Sequence, residues 1–166
     1  MKTLYIVRHA KSSWGFAEQP DHERPLLEKG KKRTRKLINF LLKENIKPDL
    51  IISSTAIRAI ETAGYIAGGL AYDLELIKED PSLYNAGSEQ IFNQFLDLSD
   101  SHNSIMIVGH NPSLTNFVNH WLKPPIDWLP TSCLVAIEFD TDKWDKLHKA
   151  SAKVKYVVLP NQLKEE

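Results

Sequence analysis

The amino-acid sequence predicts an α/β fold, a three-layer α/β/α sandwich around a mostly parallel central sheet with an antiparallel strand near its end. Three observations predict it. Apolar, β-branched runs at residues 3–8, 50–52 and 104–108 lack helical spacing and read as buried strands. Amphipathic segments lie between them, the alternation that builds parallel sheets. Two further apolar runs, 134–139 and 154–159, are separated only by a turn or helical piece around Trp144 to Leu147.

Taken in order, TLYIVR at 3–8 forms the first strand, and the segment from Ser12 to Pro25, with Gly15, Pro20 and Asp21, is an aperiodic loop. From Leu26 to about Asn45, Leu37, Ile38, Leu41 and Leu42 share one face of a surface helix whose Lys and Arg run is expected to be a solvated face. Leu50 to Ile52 form the second strand. Ser53, Ser54 and Thr55 are expected to cap the next helix, whose buried side carries Ile57, Ile60 and Ala67. Residues 74–78 alternate weakly and are expected as a strand, followed by a compact loop through Pro81, Asn85 and Gly87. Ser88 is expected to cap a helix reaching about Leu98, with Ile91, Phe92, Phe95 and Leu96 as its aromatic buried face. After the strand at 104–108, Asn111 reads as an N-cap and Pro112 as the first helical residue.

A chain of 166 residues, with 42% apolar and 25% charged residues, can bury a core as one domain spanning 1–166. Lys plus Arg equal Asp plus Glu at 21 each, so no global basic field favours nucleic acid or an anionic membrane, and any cationic site must be local. Cys133 is the only cysteine, excluding an internal disulfide; it reads as a packed small hydrophobe. The apolar run Leu4 to Val7 is too short for a signal-peptide core or a membrane span, and a cytoplasmic location is expected.

Each of the first three strands ends in polar residues: Arg8 and His9, then Ser54 to Arg58, then His110 and Asn111. Ligands of such sheets bind beyond the strands' carboxyl ends, so these groups are expected on one rim. IVRHAKS at 6–12 and IVGHNPS at 107–113 even share a pattern, a histidine just past an apolar strand. Arg58 sits in the first turn of its helix, where a cation opposes the macrodipole, and such local violations tend to mark functional sites. Glu61, on the same face, is the expected partner of its guanidinium. Two arginines and two histidines around a helix-rimmed crevice suit a dianion, phosphate above all. No metal or other cofactor is implied: neither histidine belongs to a HExxH pattern, and neighbouring cations oppose a divalent ion.

RHAKS at 8–12, SSTAIRAIETA at 53–63 and IVGHNPS at 107–113 together resemble the histidine phosphatase superfamily, which has the phosphoglycerate mutase-like fold. RHAKSSW with DHERPL at 21–26 in a short chain is similar to the SixA-type phosphohistidine phosphatase branch. The resemblance implies His9 as nucleophile, Arg8 and Arg58 as phosphate ligands, and His110 as a second imidazole stabilising the transferring phosphoryl group. Lys11, Ser12 and Asn111 are expected to line the pocket, while Asp21 and Arg24 are expected to fix the loop.

A histidine nucleophile must be neutral at the attacking nitrogen, and Arg8, Arg58 and a protonated His110 would disfavour charge on His9. Attack on phosphorus would give a phosphorylated His9, which water then hydrolyses. No carboxylate is unambiguously placed as general acid; Glu79 and Asp80 are the candidates. A weak or absent acid suits a phosphoramidate, whose imidazole nitrogen can be protonated before it leaves, and the loop from Glu79 to Gly87 is too short to cap the site. Both points favour a phosphorylated protein over a sugar phosphate, with a small phosphate substrate as the other partner class. A small-phosphoester phosphatase with the same chemistry and a noncatalytic phosphate-recognition module are the competing expectations, and a mutase is disfavoured because it needs a closed site.

Overall fold

The computed structural model describes residues 1–13 and 19–163; Trp14 and Gly15 of the first loop lie outside the described residues. Its strands are β1 (Lys2–Arg8), β2 (Leu50–Ser53), β3 (Lys78–Glu79), β4 (Ser104–Gly109), β5 (Leu134–Phe139) and β6 (Ala152–Val158). They form one sheet in the order β3-β2-β4-β1-β5-β6. β3, β2, β4 and β1 pair in parallel, while β5 is antiparallel to both β1 and β6, so one strand opposes the rest.

The helices are α1 (Glu28–Lys43), α2 (Ile57–Gly69), α3 (Ser88–Asn93) and α4 (Ser113–Val118). Strand side chains alternate between faces, and the core divides accordingly. Val7, Met106 and Val108 pack with Leu37 and Leu41 of α1 and Ala63 and Ile66 of α2. Leu4, Ile6, Ile105 and Ile107 pack on the other face with Ile91 of α3, Phe117 of α4 and Trp144. Fully buried side chains of this size contribute about 1.5–3 kcal/mol each, so the central strands are the most firmly held part of the molecule. The three-layer sandwich is the one the sequence predicts.

Several local expectations are corrected. Leu74–Leu76 is a 3₁₀ turn, with the Asp73 carboxylate accepting from the Glu75 amide at 3.0 Å, and only Lys78–Glu79 pairs with β2. The weak alternation there has no face to bury: Leu74 and Leu76 are both exposed. The helix expected to reach Leu98 ends at Asn93, with Gly87 rather than Ser88 at its N-cap. Tighter turns from Gln94 to Leu96 replace its last turn and let Phe95 stack on Trp144 at 5.7 Å. Ser53 to Thr55 do not cap α2, whose N-cap is Ala56, and Asn111 is not the N-cap of α4, whose N-cap is Pro112.

Candidate active site

β1 and β4 lie side by side in parallel with Arg8 opposite Gly109. The residues that follow are His9 and His110, so register alone brings the two imidazoles together, their ring centroids 5.0 Å apart. The ladder continues past both strand ends, with His9 N–H donating to Gly109 at 3.0 Å and Ser54 N–H to Val108 at 3.0 Å.

His9 is buried, and its Nδ1 lies 2.7 Å from the Ala10 carbonyl. A carbonyl can only accept, so Nδ1 carries the proton and Nε2 keeps its lone pair. Burial first, and then the charges of Arg58, Arg8 and Arg24, hold the ring down to about 4 despite the favourable Ala10 bond. The ring is therefore neutral at physiological pH. His110 is lowered to about 3, chiefly by burial and then by His9 and Arg58. The expectation of a protonated His110 is corrected for the free site: two buried rings this close, flanked by guanidinium groups, are both neutral. Its Nε2 lies 2.7 Å from Ser54 Oγ, so a serine expected as a cap anchors an imidazole instead.

Arg58 is buried in the first turn of α2. Its guanidinium donates to the Asp21 carbonyl at 2.7 Å and to Asp21 Oδ2 at 3.0 Å. Glu61, expected to orient it, instead accepts from the Leu26 amide at 3.2 Å. Asp21 also accepts from Arg24 Nε at 2.9 Å and from the Tyr84 hydroxyl at 2.5 Å. Burial would raise the Asp21 carboxyl, but the bonds from Tyr84 and Arg58 and the charges of Arg58 and Arg24 outweigh it and hold the group at about 2. Asp21 thus does more than fix the loop, because its ionised carboxylate sets the pose of Arg58.

Arg8 donates to the Leu129 carbonyl at 2.9 Å and lies over the Trp128 ring at 5.9 Å. Four buried side-chain polar atoms lack a partner among the described residues, and three belong to Arg8, Arg58 and His110. Buried polar groups left unpaired cost about 1–3 kcal/mol each; their concentration around one cavity marks a place built for an anion.

That cavity, of about 380 Å³, is lined by Arg8, His9, Lys11, Ser12, Arg58 and Asn111, together with His110, Arg24, Arg33 and Thr131. A neighbouring one of about 450 Å³ shares Arg58, His110 and Asn111 and adds Asp21, Tyr84 and the turn at Asn85 and Ala86. The expected cluster of Arg8, His9, Arg58 and His110 is thus together, with Lys11, Ser12 and Asn111 in its walls. Asn111 is tied down, its amide donating to Leu129 at 2.8 Å and its carbonyl accepting from Thr115 Oγ1 at 2.7 Å. Lys11 is exposed, but its backbone is pinned by α1: the Leu27 amide donates to its carbonyl at 2.9 Å and Gly30 packs directly on it.

Glu79 and Asp80, the candidate acids, line neither cavity. Asp80 accepts from the Ser82 amide at 2.9 Å, and although burial opposes it, that bonding keeps its carboxyl below its ordinary value. Sequence reasoning missed Arg33, whose signal was submerged in the basic run of α1, and Tyr84, which carries no local signal. Among the described residues no group of three or more His, Cys, Asp or Glu is arranged to hold a metal ion. Cys133 is fully buried, and burial pushes its thiol up to about 12.

Comparison with known proteins follows the same lines. Residues 4–85 match the family model of the histidine phosphatase superfamily, branch 1, a stretch holding Arg8, His9 and Arg58. An uncharacterized chloroplastic protein of Arabidopsis thaliana is 31% identical over 121 residues, covering 66% of this chain and 54% of that protein, so the match spans about half of the relative's length. Among solved structures, a candidate phosphohistidine phosphatase SixA from Agrobacterium tumefaciens superposes with a TM-score of 0.81 at 24% identity, covering 96% of this chain and 98% of that one. The protein histidine phosphatase SixA complexed with tungstate gives 0.78 at 19%, covering 98% and 99%. A mycobacterial glucosyl-3-phosphoglycerate phosphatase gives 0.66 at 12%, covering 93% and 97%. These likenesses establish the phosphoglycerate mutase-like fold, and the family match, on the strand and helix that carry three of the four clustered residues, assigns residues 4–85 to the histidine phosphatase superfamily.

Proposed function

We propose that this chain hydrolyses phosphohistidine on a protein substrate, with His9 as the nucleophile. One observation carries the reading: His9 is neutral and held by Ala10 with Nε2 unprotonated, in a cavity walled by guanidinium groups. Nε2 attacks phosphorus as the N–P bond of the substrate breaks, and the departing imidazole, protonated beforehand, leaves neutral. Arg8 and Arg58 offset charge on the equatorial oxygens. His110, neutral in the free site, gains proton affinity when a dianion arrives beside it. Water then attacks the phosphorylated His9, releasing inorganic phosphate and restoring the ring.

The substrate class is supported by what walls the site. No carboxylate lines the cavity around His9 among the described residues, and Asp21, in the adjoining one, is held near 2 and has no proton to give at neutral pH. An alcohol leaves badly without an acid, whereas a phosphoramidate nitrogen brings its own proton. A cytoplasmic setting is part of the same proposal, consistent with a single buried thiol.

The test compares the native protein with His9→Ala on a histidine-phosphorylated protein and on p-nitrophenyl phosphate. Expected are phosphohistidine hydrolysis, a loss of roughly 10³-fold or more in His9→Ala, and an acid-labile, base-stable label on His9. Hydrolysis of small monoesters alone would transfer the assignment to a small-molecule phosphatase. Absence of turnover and label on any donor, in the native protein and in His110→Ala, would leave a phosphate-recognition module.

A further inference from the structure

Beside the cavity that holds His9 lies a third depression of about 360 Å³, lined by Arg33, Lys36, Pro130, Thr131, Leu159 and Pro160 with Asn161. It shares Arg33 and Thr131 with the His9 cavity, so the two meet at that guanidinium. Arg33 has no hydrogen-bond or ion-pair partner among the described residues. Its backbone is placed by α1, on which it follows Gly30 by three residues, and Gly30 packs against the Lys11 backbone.

Charge bookkeeping points to an occupant. Among the described residues, the two joined depressions are lined by the cations Arg8, Lys11, Arg24, Arg33, Arg58 and Lys36 and by no carboxylate. A phosphoryl dianion is matched by Arg8 and Arg58, and Arg24 is paired with Asp21. Lys36 has an interaction partner of its own, so among the described residues Lys11 and Arg33 remain as charge in excess of the phosphoryl group, in a chain whose overall balance is zero. Local excess of this sort selects a ligand carrying further anionic groups. The apolar lining from Pro130, Leu159 and Pro160 suits a polypeptide stem.

We infer that Arg33 reads an acidic side chain flanking the phosphohistidine of the protein substrate, which lies in the depression between α1 and the 130–131 and 159–161 segments. The inference rests on the proposed phosphoprotein specificity and deepens it: the preferred partner is an acidic segment. Arg33 makes a charge-assisted bond to a carboxylate and sets specificity, while the chemistry stays at His9.

The experiment uses two phosphohistidine peptides of equal length, one with Asp and Glu flanking the modified residue and one with Lys there, against the native chain, Arg33→Gln, Arg33→Glu and Arg33→Lys. Expected is a preference for the acidic peptide of about tenfold in kcat/KM, carried mostly by KM. It should disappear in Arg33→Gln, invert in Arg33→Glu and persist in Arg33→Lys; thermal melts verify that each variant is folded. A ratio that is the same in native, Gln and Glu forms overturns the role of Arg33 while leaving the phosphohistidine reading intact. If neither peptide is cleaved but phosphoimidazole is, in a His9-dependent manner, the protein-substrate reading fails and the inference falls with it.

Discussion

Replacing Gly30 by alanine adds one methyl group where the first turn of α1 meets the loop that carries His9. Built on the present backbone, that carbon would lie 2.3 Å from the Lys11 carbonyl oxygen and 2.9 Å from its nitrogen. Both are backbone atoms, so no side chain can swing aside. Restoring van der Waals separation moves α1 and the loop apart by roughly 1 Å. Alanine in a helix ordinarily adds about 1 kcal/mol, whereas overpacking costs about 1–3 kcal/mol, so the net loss of stability is modest, about 0–2 kcal/mol. Activity responds differently, because Lys11 follows His9 by two residues and a displacement near 1 Å at a reacting group costs about 100-fold. Gly30→Ala should therefore fold, melt within about 10 °C of the native protein, and lose about two orders of magnitude in kcat/KM on phosphoimidazole. A raised melting temperature with native activity would refute the reasoning, since it would mean that the helix and the loop separate without disturbing His9.

Asp21→Asn leaves the buried Arg58 guanidinium without its carboxylate partner; the expected result is a fall in kcat/KM of about tenfold or more and weaker inhibition by tungstate or vanadate, measured by steady-state kinetics, with Tyr84→Phe giving a smaller loss of the same kind. The depressed histidines predict a pH-dependent stability. Below about 6.5 an unfolded histidine binds a proton that His9 refuses until about 4, so stability falls as pH drops through that interval. At about 1.4 kcal/mol per tenfold change in proton affinity, His9 accounts for at most about 3 kcal/mol of that loss. Urea melts between pH 7 and 4 should show a shallower decline in His9→Asn, and an identical slope would contradict the burial of a neutral ring.

Strands and chemistry were legible together because each chemical residue follows an apolar run. Arg8 closes β1, and His9, Ser54 and His110 stand directly behind β1, β2 and β4, so the strands locate the rim of the sheet. Legibility failed where a side chain's role depends on a distant partner. The basic run of α1 reads locally as a solvated face, and nothing in its spacing separates Arg33, which lines the His9 cavity, from its neighbours. Arg58 is conspicuous for its place in the first turn of α2, but helical geometry points to Glu61 three residues on, whereas the carboxylate that holds it is Asp21, 37 residues back. Residues 74–78 depart from their expected strand for the opposite reason: weak alternation without burial has too little apolar surface to extend the strand.

By itself, then, the sequence determined the alternation of strands and helices, the location of the polar groups at strand ends and the absence of a global charge, because these follow from local periodicity, residue type and composition. Only the tertiary structure decided that β1 and β4 are neighbours in the register that sets His9 beside His110, that both rings are neutral, and that Asp21 and Tyr84 hold Arg58 in place. Proton affinities and ion pairs depend on burial and on separations of a few ångströms between groups far apart in the chain, and those separations are set by packing, on which local sequence preference has no hold.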